Sequence, residues 1–332
     1  MSLNLHRPAV YTQRETLELT EPLLFLPEPR NIRTVLMVGV SSARGDVFWG
    51  EVAPLEGFSA ESIDDAEAEL QELTDRIPSL DPDTLQDMSL WRRFIADVRS
   101  PALRCGLEGA LLDYLVSDDA WARDHIIHTK VSSNALIVSG SQDEIVERIG
   151  DAWRDGFRSI KIKISPESWR DIVQALRRSG SGGRSDLSYR LDCNRTFSRS
   201  EYELLVAEIS DLPVEYVEEP LADVRDLPRV IEATPISIAL DETARVVPSA
   251  EWRAWGIRHV VMKPSLQGGW LSLGAEIREL ERMGVKVTLS SSFESGVGLR
   301  LIVLMAALRE ARAPIGVDTA SWMRRDVVTP RF

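Results

Sequence analysis

The sequence predicts a parallel β/α barrel preceded by an α+β segment, and three observations carry that prediction. Up to about residue 130, a group of strand-like runs is followed by a group of helical ones. Beyond it, short β-rich runs alternate with amphipathic helical stretches as far as residue 318. Nearly every one of those later runs also ends in a polar or charged residue. Alternation of strand and helix is the pattern of a parallel sheet. Polar strand ends all round favour a closed barrel over an open doubly wound sheet, which keeps its ligands at one crevice.

The early strands are expected at 9–20, 32–42 and 47–54, where Tyr11, Leu17, Val35, Met37, Val40, Phe48 and Trp49 supply strand formers. Ala43-Arg-Gly-Asp46 is a polar turn suited to a hairpin between the last two. Helices follow at 63–73, capped by Ser59 or Ser62, and at 85–98 and 103–116. These elements give an α+β unit over about residues 1–100 and a helical connection over 101–130. The barrel strands are expected at 131–137, 159–164, 187–192, 214–218, 236–241, 259–263, 285–290 and 314–318. Every gap has room for one helix, as at 142–155, 167–178, 199–209 and 271–283. The glycine-rich stretch 179–185 follows a helix and lacks the Gly-Lys-Ser/Thr ending of a phosphate loop, so it reads as a flexible connection.

Bulk properties bound the partners. At 332 residues, 44% hydrophobic and 27% charged, the chain can bury a large core. Its net charge of −13 disfavours nucleic acid and anionic membranes. Cys105 and Cys193 offer neither a disulfide framework nor a Cys-x-x-Cys metal motif, which fits a reducing, cytoplasmic setting. The first 24 residues contain no basic stretch leading into an apolar core. No apolar run approaches the ~18–20 residues that a membrane span needs.

Chemistry concentrates at the strand ends. Asp192 closes the third barrel strand (Tyr189-Arg-Leu-Asp192), Glu218 the fourth (Val217-Glu-Glu-Pro220) and Asp241 the fifth (Ala239-Leu-Asp-Glu242). A single acid at a strand end is most often a helix cap. Three on consecutive strands crowd negative charge into one volume and call for a hard divalent cation, Mg²⁺ first, with Mn²⁺ as a substitute. Ser159-Ile-Lys-Ile-Lys-Ile164 alternates with period two and puts Lys161 and Lys163 on one face. By itself that pair fits a lysine-guarded edge strand equally well. Lys263, ending the sixth strand, lies across the barrel from it. A carboxylate substrate held by a cation, with a lysine on either side of its α-carbon, is set up for proton abstraction. A lysine serves as base at neutral pH only with a lowered pKa, which a second lysine and a metal nearby would provide.

The series Lys-x-Lys, Asp-x-Asn, Glu-Glu-Pro, Leu-Asp-Glu and Lys-Pro resembles the enolase superfamily, in its muconate-lactonizing-like branch. Within that branch it is most similar to the o-succinylbenzoate synthases of menaquinone biosynthesis. The supporting stretches are Trp49-Gly-Glu-Val-Ala-Pro-Leu-Glu-Gly-Phe-Ser59, Arg190-Leu-Asp-Cys-Asn-Arg195, Lys263-Pro-Ser-Leu-Gln-Gly-Gly269, Ser290-Ser-Ser-Phe-Glu-Ser-Gly-Val-Gly-Leu299 and Gly316-Val-Asp-Thr319. The resemblance implies a (β/α)₇β barrel over 131–319 and a capping domain built from the N-terminal segment and the tail 320–332. It implies that Asp192, Glu218 and Asp241 hold Mg²⁺, with Glu219 and Glu242 behind them. Lys163 would move the proton in a syn dehydration, Lys161 would hold the carboxylate, and Lys263 would stabilise the opposite face. Arg190 and Asn194 would orient groups beside Asp192. Ser290, Ser291 and Ser292, with Gly316 nearby, would line the substrate pocket, and specificity loops would come from 20–31 and 54–60.

The same skeleton also serves isomerases that racemise N-succinylamino acids or epimerise dipeptides. Dipeptide epimerases are expected to carry Asp-x-Asp at the eighth strand, where Val317-Asp-Thr319 has only Asp318. A non-catalytic barrel, its acids merely capping helices, predicts no metal dependence and little effect of Lys163→Ala.

Overall fold

A computed structural model describes residues 8–328 apart from 24, 25, 27, 83, 84, 86, 87, 139, 181–185 and 312. Most of the glycine-rich stretch 179–185 and the last four residues of the tail 320–332 therefore lie outside the described residues.

The first three strands, β1 (Val10–Leu23), β2 (Arg30–Ser41) and β3 (Val47–Val52), form an antiparallel meander. The β2–β3 turn closes through Ser42 N to the Asp46 carbonyl at 2.7 Å. Both faces of β2 are covered. Leu36, Val38 and Val40 pack with Trp91, Phe94 and Leu107 of the helices that follow. Val35 and Met37 pack with Leu17, Leu55, Phe293 and Trp322 towards the barrel. Ser62 caps helix Ile63–Leu73 in a reciprocal pair with Asp65. Helix Pro101–Asp118 is buried along most of its length because it is wedged between the meander and the barrel. Gly50 and Gly106 permit that wedge, since a Cβ on Gly50 would sit 1.8 Å from the Gly106 carbonyl oxygen.

The barrel is a seven-stranded parallel sheet in sequential order: β4 (Ala135–Ile137), β5 (Ser159–Lys163), β6 (Ser188–Asp192), β7 (Val214–Glu218), β8 (Ile238–Leu240), β9 (His259–Met262) and β10 (Lys286–Leu289). Helices Gln142–Arg154, Trp169–Gly180, Arg199–Ile209, Trp270–Arg282 and Gly296–Leu308 cover it. On the outer face of the sheet, Ile160, Ile162, Leu191, Val217, Leu240, Val260 and Leu289 share one core with the helix faces.

The eighth strand expected at 314–318 is reduced to two parallel bridges, Ser133↔Ile315 and Ser290↔Gly316. They still join the two edges of the sheet, through Asn134 N to the Ile315 carbonyl at 2.9 Å and Gly316 N to the Leu289 carbonyl at 2.9 Å. Pro314 has no N–H to extend the ladder upstream, and the chain turns into a 3₁₀ helix at Asp318–Trp322. Beyond it, Met323 bridges Leu19 of β1 and Arg324 N donates to the Glu18 carbonyl at 2.8 Å. Among the described residues no helix is long and apolar enough to cross a membrane.

Candidate active site

The sheet register gathers the charged residues at one mouth. Lys163 is the lateral partner of Asp192, and Asp192 of Glu218, so three ionisable side chains end β5, β6 and β7 side by side. Glu218 is in turn paired with Ala239, and Asp241 directly follows the end of that strand and precedes helix Glu242–Val246. Lys263 follows β9 and starts helix Pro264–Gln267.

Each lysine is engaged by carboxylates. Lys161 Nζ lies 2.8 Å from both oxygens of Glu218 and 2.9 Å from Asp192 Oδ2. Lys163 Nζ lies 3.1 Å from Asp192 Oδ2 and 2.5 Å from Asn194 Oδ1. Lys263 donates to Asp241 Oδ2 at 2.5 Å. The side chains of Asp192, Glu218 and Asp241 are only 3%, 2% and 2% exposed, so these contacts are made out of water.

Burial and charge pull the groups apart in acidity. Burial lowers Lys161, but Asp192 and Glu218 outweigh it and hold the ammonium well above its ordinary value. Lys263 is raised in the same way, burial opposing and Asp241 prevailing. Asp192 is held below the usual carboxylate range: burial works to raise it, and Lys161 and Lys163 overcome that. Glu218 is pushed up to about 7 by burial and by the neighbouring Asp192.

Glu219 turns away from the mouth, at a left-handed φ of 43°. Its Oε1 accepts from Asp241 N and Thr243 N, both at 2.7 Å, and its Oε2 from Thr243 Oγ1 at 2.6 Å. It thereby fixes the segment that carries Asp241 and caps the short helix Glu242–Val246. Burial raises Glu219 to about 7. Burial and Asp241 do the same to Glu242, whose Oε2 has no partner.

Leu55, Phe58, Asn134, Leu136, Lys161, Lys163, Asp192, Asn194, Lys263, Ser290–Phe293, Gly316, Asp318 and Thr319 enclose a cavity of about 50 Å³ at this mouth. Ser291 Oγ pairs with Thr319 Oγ1 at 2.6 Å, and a Cβ on Gly316 would sit 2.5 Å from Ser290 Oγ. Arg190 lies one layer deeper, fully buried. It bonds Glu215 at 2.8 Å, Asn134 Oδ1 at 3.1 Å and the Pro314 carbonyl at 2.8 Å, and stacks on Tyr216. It ties the barrel wall together beneath the mouth and does not line the cavity. Sequence reasoning missed Asn134, Leu136 and Thr319; period two along the strand expected at 131–137 puts the first two on one face and was the signal available. A larger cleft of about 1020 Å³ lies between β1, β3 and helix Gly296–Leu308 and holds none of the three lysines.

Among the described residues no group of three His, Cys, Asp or Glu is drawn round a common point that could hold a metal, because each carboxylate leans on a lysine. The donor set nonetheless fits a hard divalent cation. It consists of buried oxygens alone, and Asp241 Oδ1 is buried without a partner.

Residues 144–332 match the family model described as enolase C-terminal domain-like. The chain is 29% identical to "Protein PHYLLO, chloroplastic" of Arabidopsis thaliana, over 86% of this chain but only 19% of that much longer protein. It is 26% identical to an o-succinylbenzoate synthase of Pectobacterium atrosepticum, over 84% of this chain and 80% of the relative. Among solved structures, the L-Ala-D/L-Glu epimerase of Bacillus subtilis superposes with a TM-score of 0.83 at 20% identity, over 96% and 91% of the two chains. A dipeptide epimerase of Enterococcus faecalis, complexed with Mg and L-Leu-L-Tyr, gives 0.82 at 18% identity over 96% and 92%.

Proposed function

Because the chain belongs to the enolase C-terminal domain-like family, we propose that it removes the proton α to a carboxylate. Its reaction is then the syn dehydration of 2-succinyl-6-hydroxy-2,4-cyclohexadiene-1-carboxylate to o-succinylbenzoate in menaquinone biosynthesis. The observation that carries this reading is the pair Lys161 and Lys163 facing Lys263 across buried Asp192, Glu218 and Asp241.

Mg²⁺, or Mn²⁺ in its place, would be held by those three carboxylates and would supply a Lewis acid for the substrate carboxylate. Lys161, kept protonated by its neighbours, orients that carboxylate. Lys163 takes the α-proton as the C–H bond breaks, then returns it to the departing hydroxyl. The C–O bond breaks, water leaves, and the ring becomes aromatic. Lys263, also a firm cation, balances the developing negative charge from the far face and stacks against the ring. Ser290, Ser291 and Ser292 receive the succinyl arm. The o-succinylbenzoate synthase among the relatives supports this reading.

The epimerases among the structural neighbours favour a second reading, racemisation of an N-succinylamino acid or a dipeptide, with Lys263 delivering a proton to the face opposite Lys163. Incubation with Mg²⁺ and the cyclohexadiene carboxylate, followed by aromatic absorbance, separates the two. We expect turnover that chelation abolishes. Turnover of N-succinylamino acids alone would replace the first reading with the second.

A further inference from the structure

A cavity of about 50 Å³ is far below the roughly 300–1,000 Å³ of ligand pockets, so the mouth as it stands is too small to hold a substrate and a wall of it has to give. The wall contributed by the N-terminal unit, a roof over the mouth, is the loop carrying Leu55 and Phe58. It is internally braced: Phe58 N and Ser59 N both donate to the Leu55 carbonyl, at 2.9 and 2.7 Å, and Leu55 N donates to Ser59 Oγ at 2.9 Å. Gly57 supplies the left-handed corner, with φ of 81°. Leu55 and Phe58 pack into the cluster shared with Leu17, Met37 and Trp322, Arg30 pairs with Glu56 at 2.9 Å, and two further arginines hold the ends of the loop.

At the leading end, buried Arg33 of β2 donates to the Ala53 and Pro54 carbonyls at 2.7 and 2.6 Å, and to the Ser292 carbonyl of the opposite wall at 3.3 Å. At the trailing end, Arg245 of the barrel donates from its Nη1 to the Phe58 carbonyl at 3.0 Å. Arg245 stands in the short helix Glu242–Val246, directly after Asp241. The start of that helix is clasped by Glu219. A short covalent and hydrogen-bonded path thus runs from the strand end bearing Asp241 to the roof. The Nε of Arg245 is buried without a partner, a desolvation cost accepted to place Nη1 under the roof.

We propose that Arg245 is a positioning residue that latches the Leu55–Phe58 roof over the site and so sets how firmly substrate is enclosed, without taking part in proton transfer. The latch concerns the site assigned under the proposed function but holds for either substrate class. Removing one such hydrogen bond shifts a closing equilibrium by about two- to tenfold.

The test uses the full-length protein and its Arg245→Met and Arg245→Lys variants, each checked by circular dichroism for a native fold. Amide hydrogen exchange in the segment 54–60 is expected to speed up by about two- to tenfold in Arg245→Met and to recover in part in Arg245→Lys. With the cyclohexadiene carboxylate as substrate, Arg245→Met should raise KM by a similar factor and leave kcat within about twofold. Exchange at 54–60 identical to wild type overturns the latch whatever the substrate is, and so does a fall in kcat with KM unchanged. If wild-type protein fails to turn over the cyclohexadiene, the proposed reaction falls and exchange alone decides the latch.

Discussion

Replacing Lys161 with methionine keeps most of the side-chain stem and removes an ammonium that lies within 2.9 Å of two carboxylates at 11% exposure. Breaking a buried ion pair from one side costs about 3–5 kcal/mol, because the abandoned charge stays out of water. Two features pull the figure towards the lower end. Lys163 still reaches Asp192 at 3.1 Å, and Glu218, already pushed up to about 7, takes a proton readily near neutral pH. We expect a loss of about 3 kcal/mol at pH 7.5, measured by urea unfolding with a chelator present so that no divalent cation adds binding free energy. Adding Glu218→Gln to Lys161→Met removes the stranded charge. The double variant should then be about 2 kcal/mol more stable than additivity predicts. A Lys161→Met midpoint equal to that of wild type would refute the reasoning, as would strict additivity, since either means that the charges are solvated.

Lys163→Ala and Lys263→Ala should each lower turnover by about 10²–10⁴ while the far-ultraviolet dichroism stays native; full activity in either variant would remove that lysine from the chemistry. Glu219→Ala strands Asp241 N, Thr243 N and Thr243 Oγ1 and should cost about 2–4 kcal/mol. Glu219→Gln keeps one acceptor oxygen and should cost about 1 kcal/mol, a difference that urea midpoints resolve. His259, held against Tyr216, is depressed from 6.5 to about 4 by burial, with Lys286 adding to it. The unfolded chain therefore binds the proton more readily, and stability drains away as pH falls from about 6.5 towards 4. The loss should reach about 2 kcal/mol at pH 5, and thermal unfolding of His259→Phe should lack that part of the slope.

What could be read in the sequence was whatever depends on local alternation. Period two along β5 puts Lys161 and Lys163 on one face, and acids at the ends of three successive strands meet whenever those strands are laterally paired. Helices capped by their own first-turn residues, as Ser62 caps Ile63–Leu73, were legible for the same reason. Depth along a strand was not. Arg190 stands two residues from Asp192 on the same strand, yet it sits a full layer lower, tied to Glu215 and Pro314 from distant parts of the chain. The eighth strand was over-read because a β-rich composition does not reveal that only Ile315 and Gly316 find lateral partners. The roof was legible only as a segment: Arg33 and Arg245 meet it from positions 20 and 187 residues away in sequence, and no spacing encodes that.

The charge inventory of the mouth links two observations that look separate. Asp192, Glu218 and Asp241 pair with three ammoniums, Lys161, Lys163 and Lys263, two more carboxylates, Glu219 and Glu242, are buried behind them, and Arg190 below is neutralised by Glu215. With every group ionised, the site lacks two positive charges. Burial makes that deficit expensive, and Glu218, Glu219 and Glu242 respond by rising to about 7, where each can shed its charge. Asp241 Oδ1, buried without a partner, is the same deficit seen as geometry. A divalent cation offsets both at once, whereas a structural barrel with acids that merely cap helices would have no reason to bury five of them together. Lysine contacts that close over the carboxylates are then the arrangement a cation must displace. Metal binding should accordingly weaken as pH falls through about 7, when protons compete for the same oxygens.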